Sequence, residues 1–193
     1  MEAALQLGVG ERAPALDDAA VDAAVAGDAR AFAALYDRYV ERVYRHVYYH
    51  VGNRSDAEDL TQQVFLQAWR AIGRYRRTGA PFVAWLFTIA HNLVVQLHRR
   101  PKDVHPLDLE PAARERWGDP QAEALATHDR AAVRRAILRL KPGFQQVVVL
   151  RFVEGLPASE VAAAIGKSEG NVRVMQHRAL VELRRLLDHE VNL

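Results

Sequence analysis

The chain has 193 residues, of which half are apolar and none is cysteine, and its formal net charge is +2. This composition excludes global disorder, a disulfide-stapled scaffold and thiolate metal sites. No apolar run approaches the roughly 20 residues that cross a bilayer, and residues 1–18 lack an export signal, so we expect a cytoplasmic protein with no membrane insertion.

The first half predicts three long helices after an N-terminal extension and short helix over residues 1–27. Apolar residues recur every three or four positions from Phe32 to Val51, and Gly52 ends that helix. The pattern of Ser55 to Glu58 is a capping box that opens a second helix, which runs to Gly73. A third helix begins at Pro81 and stops near Arg100, because a proline follows.

Four prolines between Pro101 and Pro120 interrupt the chain and indicate a linker and domain boundary. Helical character returns over Gln121–Leu140, breaks at Lys141–Gly143 and resumes over Phe144–Glu154. The chain is therefore predicted to be all-α, with two small helical domains joined by a flexible, proline-containing linker. We place the domains at 28–100 and 128–190, and the linker at 101–127.

The residues from Leu156 to Arg178 predict two helices joined by a tight glycine turn, the second beginning at a serine cap. That arrangement is typical of a helix-turn-helix, whose second helix enters the DNA major groove. A small core is expected from Val148, Leu150, Phe152, Val161, Ile165, Val172, Ala179, Leu183 and Leu186. The alternative is a helical hairpin whose outer face is merely polar.

Charge is segregated along the chain. The first 59 residues lean acidic, whereas residues 60–102 contain no acidic side chain and accumulate arginines, and a second basic group begins at Arg130. This pattern indicates two surfaces suited to phosphate, although solvated helix faces explain the charge alone equally well.

Other patterns carry competing interpretations. The aromatic residues of Phe82–Asn92 suit base stacking beside a basic groove, but their spacing alone favours core packing. His46 and His50 have the spacing of a metal-ligand pair, and the surrounding tyrosines favour a packed helix face. We find no nucleophile–base pair or phosphate loop, so the sequence predicts no enzyme, no metal and no cofactor.

Both halves resemble one family. Asp56–Trp69 resembles the core-binding segment in region 2 of bacterial sigma factors, and Phe82–Asn92, followed by Arg99 and Arg100, resembles the promoter-melting helix of the same region. Leu140–Leu187 resembles region 4. The linker is too short for a region 3 domain, which points to the extracytoplasmic-function (ECF) subfamily.

The resemblance implies a specificity subunit that brings core RNA polymerase to promoters and helps to melt them. Contacts with the clamp helices of the largest polymerase subunit would come from Asp59, Gln62, Gln63, Phe65, Leu66 and Trp69. The minus-10 element would be opened and held by Arg74, Arg76, Arg77, Trp85, Phe87, Asn92, Arg99 and Arg100. The minus-35 element would be contacted by Lys167, Ser168, Asn171, Arg173, Val174, His177 and Arg178.

The resemblance further implies contact with the polymerase flap, a linker that threads toward the active-site cleft, and for many family members an anti-sigma factor. Gln63, Gln96 and Val174–Gln176 depart from the family's usual residues, so the promoter sequence is not predictable. Two other functions stay open: a stand-alone helix-turn-helix regulator of duplex DNA, and, remotely, a helical metalloenzyme that uses His46 and His50.

Overall fold

The computed structural model describes residues 14–77, 79–99 and 130–191, and all regular structure in these ranges is helical. This agrees with the predicted all-α class. The predicted linker at 101–127, Arg100, the first 13 residues and the start of the helix predicted from Gln121 lie outside the described residues. Within the described part of the chain, no helix is both long and apolar enough to cross a membrane.

The first half contains four helices, α1 (Pro14–Val25), α2 (Ala29–Val51), α3 (Arg54–Ala71) and α4 (Phe82–Arg99). The long helix predicted to end at Gly52 is confirmed as α2. The Asp28 carboxylate begins it by accepting hydrogen bonds from the backbone N–H groups of Arg30 and Ala31, at 2.8 and 3.2 Å. Gly52 ends it with a left-handed φ of 81°.

The start of α3 differs from the predicted capping box. The cap is Asn53, whose side-chain oxygen accepts the backbone N–H of Asp56 at 2.8 Å. Glu58 does not close a box with Ser55, because its carboxylate pairs with Arg54, one turn earlier, at 2.7 Å. The helix therefore begins one residue before Ser55, and a short 3-10 turn (Ile72–Arg74) follows its end.

The second half contains a helix α5 over 130–138, then α6 (Pro142–Val148), a π-helical turn (Val149–Val153), α7 (Ala158–Ile165) and α8 (Glu169–Val191). Pro142 occupies the first turn of α6, where its missing N–H has no cost. Gly166, at a φ of 66°, makes the turn between α7 and α8. The Ser168 hydroxyl accepts the backbone N–H of Asn171 at 3.3 Å, which confirms the predicted serine cap.

The predicted C-terminal core is divided in the structure. Ala179, Leu183 and Leu186 of α8 pack with Val148 against α5. Partly buried Phe152 also packs against this cluster. Leu150, Val161 and Val172, with partly buried Ile165 beside them, join a second cluster that also contains the core of the first half. The two domains are therefore packed against each other, with α7 between the rest of the second domain and α4.

His46 and His50 belong to the buried face of α2, as the packed-face interpretation predicts. Both are almost fully buried, and the His46 ring stacks on Phe87 with centroids 4.4 Å apart. His50 Nδ1 lies 2.8 Å from the His46 carbonyl oxygen. Burial holds the pKa of His46 well below its usual value and lowers the pKa of His50 to about 4, and His91 acts in the same direction on both.

These lowered pKa values predict that acid destabilises the fold. The unfolded chain binds protons near pH 6.5, whereas folded His50 resists protonation to about pH 4, so its stabilisation is present above pH 6.5 and is lost as the pH falls. Between about pH 7 and about pH 5.5, each histidine should remove about 1 kcal/mol from the free energy of unfolding.

Urea unfolding at the two pH values measures this loss. The double variant His46→Gln/His50→Gln should show a markedly flatter pH dependence than the wild type. The exposed His177→Gln variant is the control and should retain the wild-type dependence. An unchanged dependence in the double variant would show that these two imidazoles are not responsible.

Candidate polymerase and nucleic-acid interfaces

The outer face of α3 carries an exposed apolar surface. Leu66 and Trp69 are 49% and 41% exposed, although large apolar side chains are usually buried. The polar residues of the predicted core-binding set share this exposure, namely Asp59, Gln62 and Gln63. These five side chains form one face of the helix, which we call the α3 surface.

The prediction that Phe65, the sixth member of that set, contacts polymerase directly is corrected by the burial of its side chain. Its ring is 5% exposed and packs edge-on against Tyr36, with centroids 4.7 Å apart. Phe65 therefore supports the α3 surface from beneath and does not form part of it. Tyr36 itself is 39% exposed, and the neighbouring Phe32 ring lies 5.0 Å from that of Trp69. Sequence reasoning assigned Tyr36 only to the apolar stripe of α2, so this exposed aromatic residue on the neighbouring helix was missed.

The predicted minus-10 residues divide between exposed cations and a packed aromatic group. Arg74 and Arg76 are exposed in the segment between α3 and α4. Arg77 is also exposed, but it pairs with Asp18 and Asp22 of α1, both at 2.8 Å. A DNA phosphate would have to displace these carboxylates in order to contact Arg77.

Along α4, Asn92 and Arg99 are exposed and Trp85 is partly exposed. The Trp85 ring packs against Tyr75 and Phe82 at centroid distances of 5.1 and 5.4 Å, which leaves part of it on the surface. The prediction for Phe87 is corrected, because its ring is 1% exposed and lies against His46 in the core. Phe87 cannot stack on a base in this conformation.

The start of α8 presents all seven predicted minus-35 residues to solvent: Lys167, Ser168, Asn171, Arg173, Val174, His177 and Arg178. Buried Val172 and Ala179 anchor the opposite side of the helix. Glu169 pairs with Arg173 at 2.6 Å within the first turn, so this guanidinium is already oriented at the helix N-terminus. The remaining exposed donors are suited to the acceptor-rich edge of guanine and to backbone phosphate.

Arg151 links α8 to the segment that precedes α7, and sequence reasoning missed it. Its Nε donates to Gln176 Oε1 on α8 at 2.9 Å, and its guanidinium also donates to the Leu156 carbonyl before α7. The available signal was a single arginine inside the apolar run Val147–Val153. A lone charge in such a run needs a buried partner.

The structure also brings the two candidate DNA surfaces close together. The Thr88 hydroxyl on α4 donates to the Ala164 carbonyl on α7 at 3.2 Å. Thr88 lies one turn before Asn92, and Ala164 lies three residues before Lys167. The predicted melting helix and the helix-turn-helix are therefore direct neighbours.

Comparison with known proteins identifies both halves. Residues 35–103 match the family model for Sigma-70 region 2, and residues 136–185 match that for Sigma-70, region 4. The ECF RNA polymerase sigma factor BldN of Streptomyces coelicolor is 41% identical over 173 residues, which cover 86% of this chain and 64% of that protein. The ECF RNA polymerase sigma factor SigD of Mycobacterium bovis is 39% identical over 176 residues, covering 86% and 82%.

Solved structures share the fold. CnrH in complex with the cytosolic domain of CnrY has a TM-score of 0.68 and 26% identity, covering 90% of this chain and 98% of CnrH. The sigma factor RpoE of Bartonella quintana, in complex with the anti-sigma factor NepR, has a TM-score of 0.65 at 21% identity, covering 81% and 96%, and this likeness concerns the fold alone. The chain therefore belongs to the ECF RNA polymerase sigma factors, the family that directs core RNA polymerase to promoters.

Proposed function

We propose that this sigma factor binds core RNA polymerase through the α3 surface and holds promoter DNA at two separate points. The observation that carries the proposal is the exposed pair Leu66 and Trp69, because it lies on a different helix from every candidate base reader. Exposed apolar residues rimmed by polar ones are typical of a protein-binding surface. A regulator that binds duplex DNA as a monomer does not need such a surface.

The minus-10 contacts are assigned to the exposed part of α4 and the segment before it. Arg74, Arg76 and Arg99 would neutralise phosphates, and Asn92 would contact a base edge. The exposed part of Trp85 would stack on an unpaired base, a contact worth about 1–3 kcal/mol. That gain offsets the few kcal/mol needed to take a base out of the duplex.

The minus-35 contacts are assigned to the first turns of α8. Arg178, Asn171 and His177 are the candidate base readers, and the helix N-terminus at Ser168 would bind a phosphate. The proposed role is non-enzymatic, because every assigned group binds or positions nucleic acid or protein. We expect the protein in the cytoplasm, where core polymerase and promoters are found.

An anti-sigma factor is the further partner that we expect. CnrH, whose fold resembles that of this chain, has a solved structure in complex with the cytosolic domain of CnrY. The exposed α3 surface offers a second protein the same apolar contacts that it offers polymerase. Competition between core polymerase and the second protein is the expected mode of inhibition.

Reconstituted transcription separates this function from that of a stand-alone regulator. The purified chain, added to core RNA polymerase, should produce promoter-dependent transcripts that core polymerase alone does not make. Mapping start sites after overexpression would reveal both promoter elements in the upstream sequences. A chain that binds a duplex tightly alone but never binds core polymerase would support the stand-alone regulator.

Trp69→Ala should weaken binding to core polymerase at least tenfold, because truncation of an aromatic anchor commonly costs about 2 kcal/mol or more. Titration of labelled protein with core polymerase measures this change. Trp69→Phe should recover much of the affinity, and Ser55→Ala, at the far end of α3, is the control. If all three variants bound core polymerase as tightly as the wild type, the polymerase-binding surface would not include Trp69.

Arg178→Ala and Arg99→Ala should have different consequences. Loss of a base-reading arginine at Arg178 should cost about 1–3 kcal/mol at particular minus-35 positions and relax specificity there. Loss of a phosphate contact at Arg99 should weaken binding evenly across sequences and reduce the salt slope by about one.

Binding of holoenzyme to a panel of promoter variants at several salt concentrations tests both expectations. Arg185→Ala, at an exposed ion pair within α8, is the matched control. If both arginine variants lost the same affinity on every sequence, the division into base and phosphate contacts would be refuted.

A further inference from the structure

One buried carboxylate joins the two halves of the protein. Glu154 follows the π-helical turn, and its side chain has no exposed area. It accepts hydrogen bonds from Arg42 Nε at 3.3 Å, and from the Nε and Nη2 atoms of Arg45 at 3.4 and 3.3 Å. Arg42 also donates to the Glu154 backbone carbonyl at 3.2 Å. Both arginines are on α2, so the contact crosses between domains.

Three more polar contacts cross the same boundary. The Arg134 guanidinium of α5 bonds to the Tyr48 hydroxyl and lies 4.6 Å from the centre of the Tyr48 ring. Gln145 of α6 donates to the Tyr49 backbone carbonyl at 3.0 Å. The bond from Thr88 to Ala164 joins α4 to α7. Contacts from α5, α6, α7 and the π-helical turn therefore converge on α2 and α4.

The closed arrangement cannot hold both promoter elements at once. The positions that name the minus-10 and minus-35 elements differ by about 25 base pairs, which is about 85 Å along B-DNA at about 3.4 Å per base pair. In the structure, by contrast, α4 and α7 touch. Between Arg99 and Arg130 the chain has 30 residues, and a segment of that length reaches at most about 100 Å. The chain is therefore long enough to let the domains separate by the required distance.

We propose that Glu154, Arg42 and Arg45 form a latch that holds the free protein in a closed conformation, and that this latch must open before the chain can hold a promoter at both elements. The role of the latch in promoter binding rests on the proposed function. The closed conformation rests only on the contacts between the two domains. In the closed state, α2 and α4 of this chain are the binding partner of its own second domain.

The contact is built in a way that permits opening. Arg42 and Arg45 keep about a third of their side-chain surface exposed, so water reaches both cations when Glu154 leaves. Burial raises the pKa of Glu154, and the opposing effect of Arg45 and Arg42 does not cancel that rise, so the charged carboxylate regains favourable hydration when the contact opens. Elsewhere along the same boundary, residues of α2, α4 and α6 line a cavity of about 190 Å³, so the two halves do not pack tightly everywhere.

The absence of native cysteine makes a direct measurement simple. Donor and acceptor dyes on Asp37→Cys in α2 and Arg184→Cys in α8 report the separation of the domains in the full-length chain. Wild-type protein should show high energy transfer alone and low transfer when core polymerase and promoter DNA are added. Glu154→Ala should lose at least half of the transfer in the free protein.

The latch also predicts a change in DNA binding. If opening is required, the apparent dissociation constant falls as the competent fraction rises. Free Glu154→Ala should therefore bind a promoter fragment that carries both elements at least about fivefold more tightly than wild type. Affinity for a fragment with the minus-35 element alone should not change, since the base readers of α8 are already exposed.

Matched variants keep the result interpretable. Arg45→Glu should open the protein, and the double variant Arg45→Glu/Glu154→Arg should restore high transfer. Arg54→Glu disrupts an exposed pair within α3 and is the control. If circular dichroism shows that Glu154→Ala is unfolded, the partly exposed pair Arg42→Ala/Arg45→Ala decides the question with the same dyes.

Low transfer in the free wild-type protein would overturn the latch, and so would high transfer in folded Glu154→Ala. Failure of the proposed function has a different signature. In that case, wild-type protein would give no promoter-dependent transcription with core polymerase, whatever the dyes report. Wild-type transcription combined with an always-open free chain would remove only the latch.

Discussion

Helix α2 is the element on which the rest of the structure depends, because it is packed on two sides. One face buries Leu35, Tyr39 and Val43 against α1, α3 and α4. Another face presents Arg42 and Arg45 to the Glu154 carboxylate of the second domain. A helix with a single apolar stripe could organise only one domain. The 23 residues of α2 instead fix the first bundle and the position of the second.

Local sequence signals predicted the helices and most of their ends. They did not predict which helices pack against each other, because that depends on residues far apart in the chain. Apolar periodicity and Gly52 predicted α2 and its end because both effects act within a few residues. The predicted N-cap of α3, Ser55, lies two residues after the observed cap, Asn53. Both residue types are good caps, and the choice depends on which side chain reaches a free backbone N–H. The predicted C-terminal core was incomplete, because a stripe such as Val161 and Val172 does not reveal which neighbouring domain it packs against.

For the candidate interfaces too, the sequence predicted the segment but not which of its side chains are exposed. The resemblance to sigma factors supplied the segments, and the structure separated surface from support within them. Leu66 is exposed and its neighbour Phe65 is buried, because successive helical residues point about 100° apart. Phe87 is in the core, where its ring stacks on the flat imidazole of His46, 41 residues earlier on α2. No pattern within α4 contains that information.

Glu154 could not have been assigned from sequence, because a glutamate before Gly155 is an ordinary helix end. Its structural role depends on Arg42 and Arg45, which lie more than 100 residues away in the sequence. A free chain that is closed in about 99 of 100 molecules needs about 3 kcal/mol to open. One aromatic anchor in a protein interface supplies a comparable amount. The α3 surface remains exposed in the closed chain, so polymerase can bind there first, and that binding can offset the cost of separating the two domains.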